Sequence, residues 1–306
     1  MNNLTDDFHI LVEGEPNSPE VPFLNKLIQK IFAENKISIL SRVTEVGGST
    51  LFKSFAKFCY RDSEVHKKIP VLALSDNDYR TSLGKAQNQN SSLINKREPK
   101  IIYWQRHEWE NYLLEETGFI ANFVNQLPNK TSAKTHKPFK QGLNTISKEE
   151  IDAELLKYFQ EQLKNEFWEC LKFNLSRNVK KRPSVKPPEN FEKKELNEVR
   201  NWFLEETRKT EDIFELKEMS SNLFETITQE FKWESLFTSK HVTLEHAKKY
   251  FRGKEAFEHL FKFIGKKVEL HNLAKKDLIT GILNIQVSNQ FSIYSDLDNL
   301  LRTEIC

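Results

Sequence analysis

Cysteine is scarce in this chain of 306 residues: Cys59, Cys170 and Cys306 are an odd number with no CxxC spacing. That excludes a disulfide framework and a thiolate zinc site, and it leaves reduced, packed thiols. Long hydrophobic runs are missing too. No stretch approaches the roughly 18 to 20 uncharged apolar residues of a membrane helix, and Met1 to Ile10 is acidic and polar rather than a charged-then-apolar leader. The expectation is a soluble, cytoplasmic protein with no membrane association. There is no GxxxxGKS/T loop, so the chain itself should not hydrolyse nucleotides, and no GxSxG elbow. His9, His107, His136, His241, His246, His259 and His271 form no HxxxH or HExxH pair, which argues against histidine-bound zinc. His107 stands out only for its neighbours.

A charge of one sign is lacking as well: 46 basic residues against 44 acidic leave +2, which does not announce a nucleic-acid binder. The distribution says more, because residues 119–200 hold 16 basic against 11 acidic. Within them Lys172, Arg177, Lys180, Lys181, Arg182 and Lys186 lie in a stretch free of acid, beside Trp168 and Phe173. One reading is a strip that tracks a phosphate backbone, with aromatics packing or stacking on bases. The other is a solvated helix end running into a proline-rich loop. The 38% apolar content and 23 Phe exclude disorder for most of the chain, and the length fits one large or two modest domains. Phe residues recurring at helical spacing are assigned to packing.

The first part alternates strand and helix patterns. Phe8 to Val12 is a short apolar run that stops at Glu13-Gly14, and Val21, Leu24, Leu27, Ile28, Ile31 and Phe32 then recur at helical spacing. Ile37 to Val46 reads as a second strand, and Gly47-Gly48-Ser49 opens a helix carrying Leu51, Phe52, Phe55 and Phe58. Ile69 to Leu74 is a third strand and Lys100 to Trp104 a fourth, with a helix beginning near Glu108. This βαβαβ(α)β order predicts an α/β fold, a small parallel sheet with helices on both faces. After residue 118 strand signals fade. Ser147 to Glu150 fits a capping box, and Ile151, Leu155, Phe159, Leu163, Phe167 and Leu171 mark a long helix. Helical patterns follow around 191–208, 211–231, 241–263, 269–284 and 289–302. The expectation is therefore a domain at 1–118 and a mainly helical one at 119–306, hinged somewhere in 116–146.

Carboxylates fall where the strands end. Glu13 closes the first, Asp76 and Asp78 follow the third, and Glu108 and Glu110 follow the fourth. Parallel strands bring those ends to one edge, where grouped anionic oxygens repel unless a hard cation neutralises them. The ordinary alternative for each is a solvated turn former or a helix N-terminal residue.

Val12-Glu13-Gly14, Ser75-Asp76-Asn77-Asp78 after an apolar strand, and Arg106-His107-Glu108-Trp109-Glu110-Asn111-Tyr112-Leu113-Leu114 together resemble a TOPRIM domain, which is Rossmann-like. The last segment is similar to TOPRIM nucleases of the OLD (overcoming lysogenization defect) type and their stand-alone relatives. The resemblance covers about the first 118 residues. It implies that Glu13 is a metal ligand or general acid/base, that Asp76 and Asp78 hold metal, and that Glu110 is a further ligand. The family often has a second acidic residue a few positions after VEG. Here Glu15 to Pro19 intervene, and Glu20 stands in that role across a short insertion. The implied cofactor is Mg2+, with Mn2+ able to substitute.

Arg252-Gly253-Lys254-Glu255 looks like a Gly-Lys signal found late in these proteins, which would bring Lys254 to the cleaved phosphate; the alternative is a lysine on a solvated helix face. Size and motif set resemble effector nucleases of PARIS anti-phage defence. That resemblance implies a toxin held inactive by an ABC-type ATPase partner, released when a phage anti-restriction protein is sensed, and cutting RNA, with tRNA the expected target; a homodimer is expected besides. Two rivals stand beside it: a non-catalytic adaptor that docks an ATPase, and a DNA-directed TOPRIM nuclease of repair.

Overall fold

The computed structural model of the chain describes residues 8–14, 18–61, 69–94, 98–126, 145–178, 185–208, 213–268 and 274–305. The first part runs β1 (Phe8–Val12), α1 (Glu20–Glu34), β2 (Ser41–Glu45), α2 (Phe52–Cys59), β3 (Leu72–Ser75), α3 (Ser82–Ile94), β4 (Lys100–Tyr103), α4 (Glu110–Leu113) and α5 (Thr117–Gln126). All four strands are parallel, in the order β2-β1-β3-β4. The second strand is shorter than the Ile37–Val46 pattern, and Leu40 just before it is exposed.

The period-2 pleat sorts the strand residues into two layers. Leu11, Val71, Ala73 and Ile101 face α2, where Phe52 and Ala56 close a small cluster. Phe8, Ile10, Val12, Leu72, Leu74 and Ile102 face the other way, onto Leu24, Leu27, Ile28 and Ile31 of α1. The helical pattern of α2 promised more burial than it delivers. Leu51 and Phe55 are partly open and Phe58 is 76% exposed, which corrects the assignment of every helical Phe to packing. The small residues Ala56 and Ala73 bring α2 close through one narrow stripe, and its outer apolar residues stay exposed among the described residues.

The rest is helical: α6 (Lys148–Asn178), α7 (Leu196–Arg208), α8 (Ile213–Glu230), α9 (Trp233–Ser239), α10 (Leu244–Tyr250), α11 (Gly253–Lys267), α12 (Lys275–Gln286) and α13 (Ser292–Ile305). The capping box forms: the Glu150 N–H donates to Ser147 Oγ at 3.2 Å, and the Ser147 N–H to Glu150 Oε2 at 2.9 Å. From there α6 runs 31 residues, about 46 Å at 1.5 Å per residue, with Ile151, Leu155, Phe159, Phe167 and Leu171 wholly buried. Around Phe167 the rings of Phe224, Trp233 and Phe237 meet it edge-on at 5.0–5.7 Å. The pattern at 241–263 is two helices, α10 and α11, because the chain turns extended at Phe251 and Arg252 while both halves keep apolar spacing.

The C-terminal helices fold back onto the first part. Asn35 Nδ2 donates to Asp298 Oδ1 at 2.8 Å, Lys30 Nζ to the Val287 carbonyl at 2.9 Å, and Tyr112 Oη to Asp296 at 2.8 Å. One continuous core reaches from Phe8 through α6 to Leu301. Among the described residues no helix is long and apolar enough to cross a membrane.

Candidate active site

The chain reverses its direction of travel across the sheet between β1 and β3, the place where open α/β sheets form a crevice at their carboxyl ends. Val12 pairs with Leu74 across that junction. The next residues, Glu13 and Ser75, therefore meet, and the Ser75 hydroxyl donates to the Glu13 carboxylate. Asp76 follows and accepts from the Trp109 N–H at 3.3 Å. Asp78 bends the loop through φ +47°, a left-handed conformation that Asp tolerates better than most residues. Its N–H donates to the His107 carbonyl at 2.8 Å, which ties the loop after β3 to the loop after β4.

Glu13, Glu20, Asp76, Glu108 and Glu110 line one cleft of about 550 Å3, with exposed Lys254 beside them. Asp78 faces the adjoining cavity of about 430 Å3, and Glu108 stands in the wall between the two. The Asp78 carboxylate pairs with Arg80 at 3.3 Å.

Five carboxylates against one lysine leave the cleft unbalanced, and burial adds to the cost of charge at four of them. Burial, reinforced by Glu110, Glu20 and Glu108, pushes Asp76 well above the usual carboxylate range. Burial raises Glu20 likewise, with Glu110 and Glu13 adding to it. Glu108 is pushed up to about 8 by burial and by Glu110. Burial also raises Glu110, against the pull of its backbone hydrogen bond and of Lys254. Asp78 rises to about 6 through burial, with Arg80 opposing. His107 is driven down to about 3 by burial and Arg252, so its imidazole is neutral. Among the described residues no three His, Cys, Asp or Glu side chains are already gathered into a metal-ion ligand set.

Lys254 reaches this site through its backbone as well as its side chain. Gly253 opens α11 hard against Asn111: a Cβ there would lie 2.4 Å from Asn111 Oδ1 and 2.7 Å from its backbone nitrogen. Buried Asn111 accepts from the Glu108 N–H at 2.9 Å and donates to the Phe251 carbonyl at 2.8 Å. That close approach lets the Lys254 N–H donate to Glu108 Oε2 at 2.8 Å. Gly253→Ala is expected to cost roughly 2 kcal/mol, because rigid backbone must give way. Urea unfolding checks it, and a midpoint equal to wild type would refute the close approach.

A buried carboxylate, Glu166 of α6, fastens these loops from behind. It accepts from the Tyr79 hydroxyl, from the Arg252 N–H at 3.1 Å and from Arg252 Nε at 2.8 Å. Nothing local in the sequence marks Glu166 or Tyr79, whose partners lie 86 and 87 residues away, and the bond from Asn111 to Phe251 spans 140.

Of the basic strip, Lys172 pairs with Glu169 at 2.6 Å and lines the smaller cavity, and the Arg177 guanidinium lies 4.7 Å from the Phe173 ring centre. Lys180, Lys181 and Arg182 fall outside the described residues. Gly47, at φ +75°, lines the carboxylate cleft. No protein-family model matches the chain, and a search of curated proteins finds no match.

Proposed function

We propose that this chain is a metal-dependent nuclease that cuts phosphodiester bonds, with RNA favoured over DNA. The observation that carries the reading is the convergence of Glu13, Glu20, Asp76, Glu108 and Glu110 on one cleft at the sheet's switch point. The donor chemistry fits a hard divalent ion: all five are carboxylates, and their mutual repulsion is what a cation would relieve. Glu13, Asp76 and Glu110 would hold Mg2+ or Mn2+, with Glu20 and Asp78 as flanking candidates. When bound, the metal supplies positive charge against the phosphate oxygens.

The chain's own groups do the positioning. Ser75 fixes the Glu13 carboxylate, and the Trp109 N–H orients Asp76. Lys254 puts a second positive charge at the cleft, where it would neutralise the cleaved phosphate. Lys172 and Arg177, on the neighbouring cavity's side, would take the phosphates of the flanking strand. The likeness to OLD-type and PARIS-type effectors adds the wider reading: a homodimeric defence toxin acting on tRNA, restrained by an ABC-type ATPase.

The test is cleavage of a pool of tRNA, total RNA and duplex DNA, with and without Mg2+, by the purified chain and by Glu13→Ala. Magnesium-dependent cutting of RNA, lowered about 10²–10³-fold in the variant, is the expected result. Cutting that ignores Glu13, or none even with the ATPase partner added, would overturn it in favour of an adaptor.

A further inference from the structure

A third cavity, a groove of about 820 Å3, opens between α1 and α12. It meets the carboxylate cleft at Ser18 and Pro19, which line both. Its place in the strand order matters. Glu45, the last residue of β2, lines the groove, whereas the 430 Å3 cavity lies by the loops that follow β3 and β4. The cleft stands between them, where β1 and β3 end, so the groove and the smaller cavity flank it on opposite sides.

Two helical rows face each other across the groove. From α1 come Pro22, Lys26 and Gln29, spaced i, i+4 and i+7, and from α12 come Lys276, Thr280 and Asn284, spaced i, i+4 and i+8. All six are exposed, because α1 spends its other side, with Leu24, Leu27 and Ile28, on the sheet. Buried Leu283 and half-buried Val21 and Val287 make an apolar floor. The Lys30 ammonium donates to the Val287 carbonyl at 2.9 Å and ties the two helices together at the end of α12. From Lys276 to Val287 the trough runs about 16 Å at 1.5 Å per residue.

The charges on this lining are uncommitted. Lys26 and Lys276, one on each wall, have no ion-pair partner within 4.0 Å among the described residues. Glu45 is the one carboxylate on the described lining, and it stands toward the cleft, where its charge bears on Glu20. Lys275, beside Lys276, lies close enough to the cleft for its charge to act on Glu110. The occupant must therefore be anionic at intervals, must carry apolar surface for the floor, and must continue into a cleft built of carboxylates. A small anion meets only the first condition. A nucleic-acid strand meets all three, with phosphates on the walls and sugars and bases on the floor.

We propose that the substrate strand passes through this groove on the β2 side of the cut, with its phosphates at Lys26 and Lys276. Phosphate contacts are blind to sequence, so the groove supplies affinity and sets the strand's course rather than choosing the site of cutting. This rests on the nuclease reading for the cut, and on the groove alone for the strand.

The experiment measures binding, which does not require cutting. Full-length protein carrying Glu13→Gln is titrated with end-labelled short single-stranded RNA over a series of salt concentrations at fixed Mg2+. Adding Lys26→Ala and Lys276→Ala together should weaken binding about tenfold at low salt and flatten the log–log salt slope by about 1.4, the share of two phosphates on a single strand. Lys26→Arg with Lys276→Arg should keep both near the level of the unsubstituted groove. Lys53→Ala with Lys57→Ala, exposed lysines of α2 on the other face of the sheet, should leave the slope where it was. Asn284→Trp fills the groove without changing its charge and should weaken binding by a similar factor. A circular-dichroism melt confirms that each variant is folded. An unchanged slope in the groove pair, an equal loss in the α2 pair, full binding by Asn284→Trp, or no binding at all would overturn the proposal. Cleavage by protein with Glu13 intact is scored separately. Cutting that is indifferent to Lys26 and Lys276 removes the groove and leaves the nuclease, whereas the salt-slope pattern without any cutting removes the nuclease and leaves the groove.

Discussion

Asp76→Asn is expected to abolish magnesium-dependent cleavage, by about a thousandfold, and at the same time to make the metal-free protein harder to melt. Both effects have one cause. Asp76 sits among Glu110, Glu20, Glu108 and Asp78, and its ionised form is opposed by burial and by every one of them. The charge costs the empty site and would serve the loaded one.

The pH dependence fixes the sign. Asp76, Asp78 (raised to about 6) and Glu108 (raised to about 8) hold protons more tightly in the folded than in the unfolded chain. Their contribution is therefore intact below the ordinary carboxylate range and is lost as pH climbs through the raised values. Scanning calorimetry of metal-free protein should show a melting temperature that falls from pH 5 to pH 8. Asp76→Asn should recover about 3 °C of that fall at the alkaline end and nothing below the ordinary carboxylate pKa. Magnesium should then raise the wild type at pH 8 and leave the variant nearly unmoved. A variant that is inactive but no more stable would mean that Asp76 is not electrostatically strained.

Glu166→Ala carries the largest expected loss of stability, about 3 kcal/mol or more. Glu166 is 2% exposed and satisfies the Tyr79 hydroxyl and the Arg252 guanidinium, which lies 2.7 Å from it at its nearest nitrogen. Truncation leaves a partly buried cation and a buried hydroxyl without a partner, and that costs more than the pair itself is worth. Glu166→Gln should lose less, since a carbonyl oxygen still accepts. Guanidinium unfolding of the three proteins measures this, and a truncation no worse than the amide would argue that the hydrogen bonds accepted at this position carry no stability. Because Arg252 immediately precedes Gly253 and Lys254, the truncation should also loosen the N–H that Glu108 accepts.

How much of this was readable in advance divides along chain distance. The strands were legible because each is a short apolar run ended by a turn, and their parallel order put Glu13 and Asp76 at neighbouring positions. Glu150 answered Ser147 three residues away, as a local motif should. Lys254 was legible only as a motif. Its reach to Glu108 depends on the missing side chain of Gly253 and on Asn111, whose bond to the Phe251 carbonyl spans 140 residues that no spacing rule encodes. The break between α10 and α11 was hidden because apolar spacing continues through it. Phe58 misled for the opposite reason, since periodicity specifies a face and not whether anything covers it.

The fastening of Glu108 by residues 111 and 254 has a consequence for how the protein is made. A ribosome that has delivered β1 to α4 has already delivered Glu13, Glu20, Asp76, Asp78, Glu108 and Glu110. The nascent chain at that moment owns these acidic groups with Ser75, Trp109 and Asn111 beside them, but it lacks the distant hardware: Glu166 is still to come, and Gly253 and Lys254 arrive later still. The Glu108 carboxylate gains its backbone donor only once residue 254 has been read. A chain cut short in translation would carry the motif without the machine.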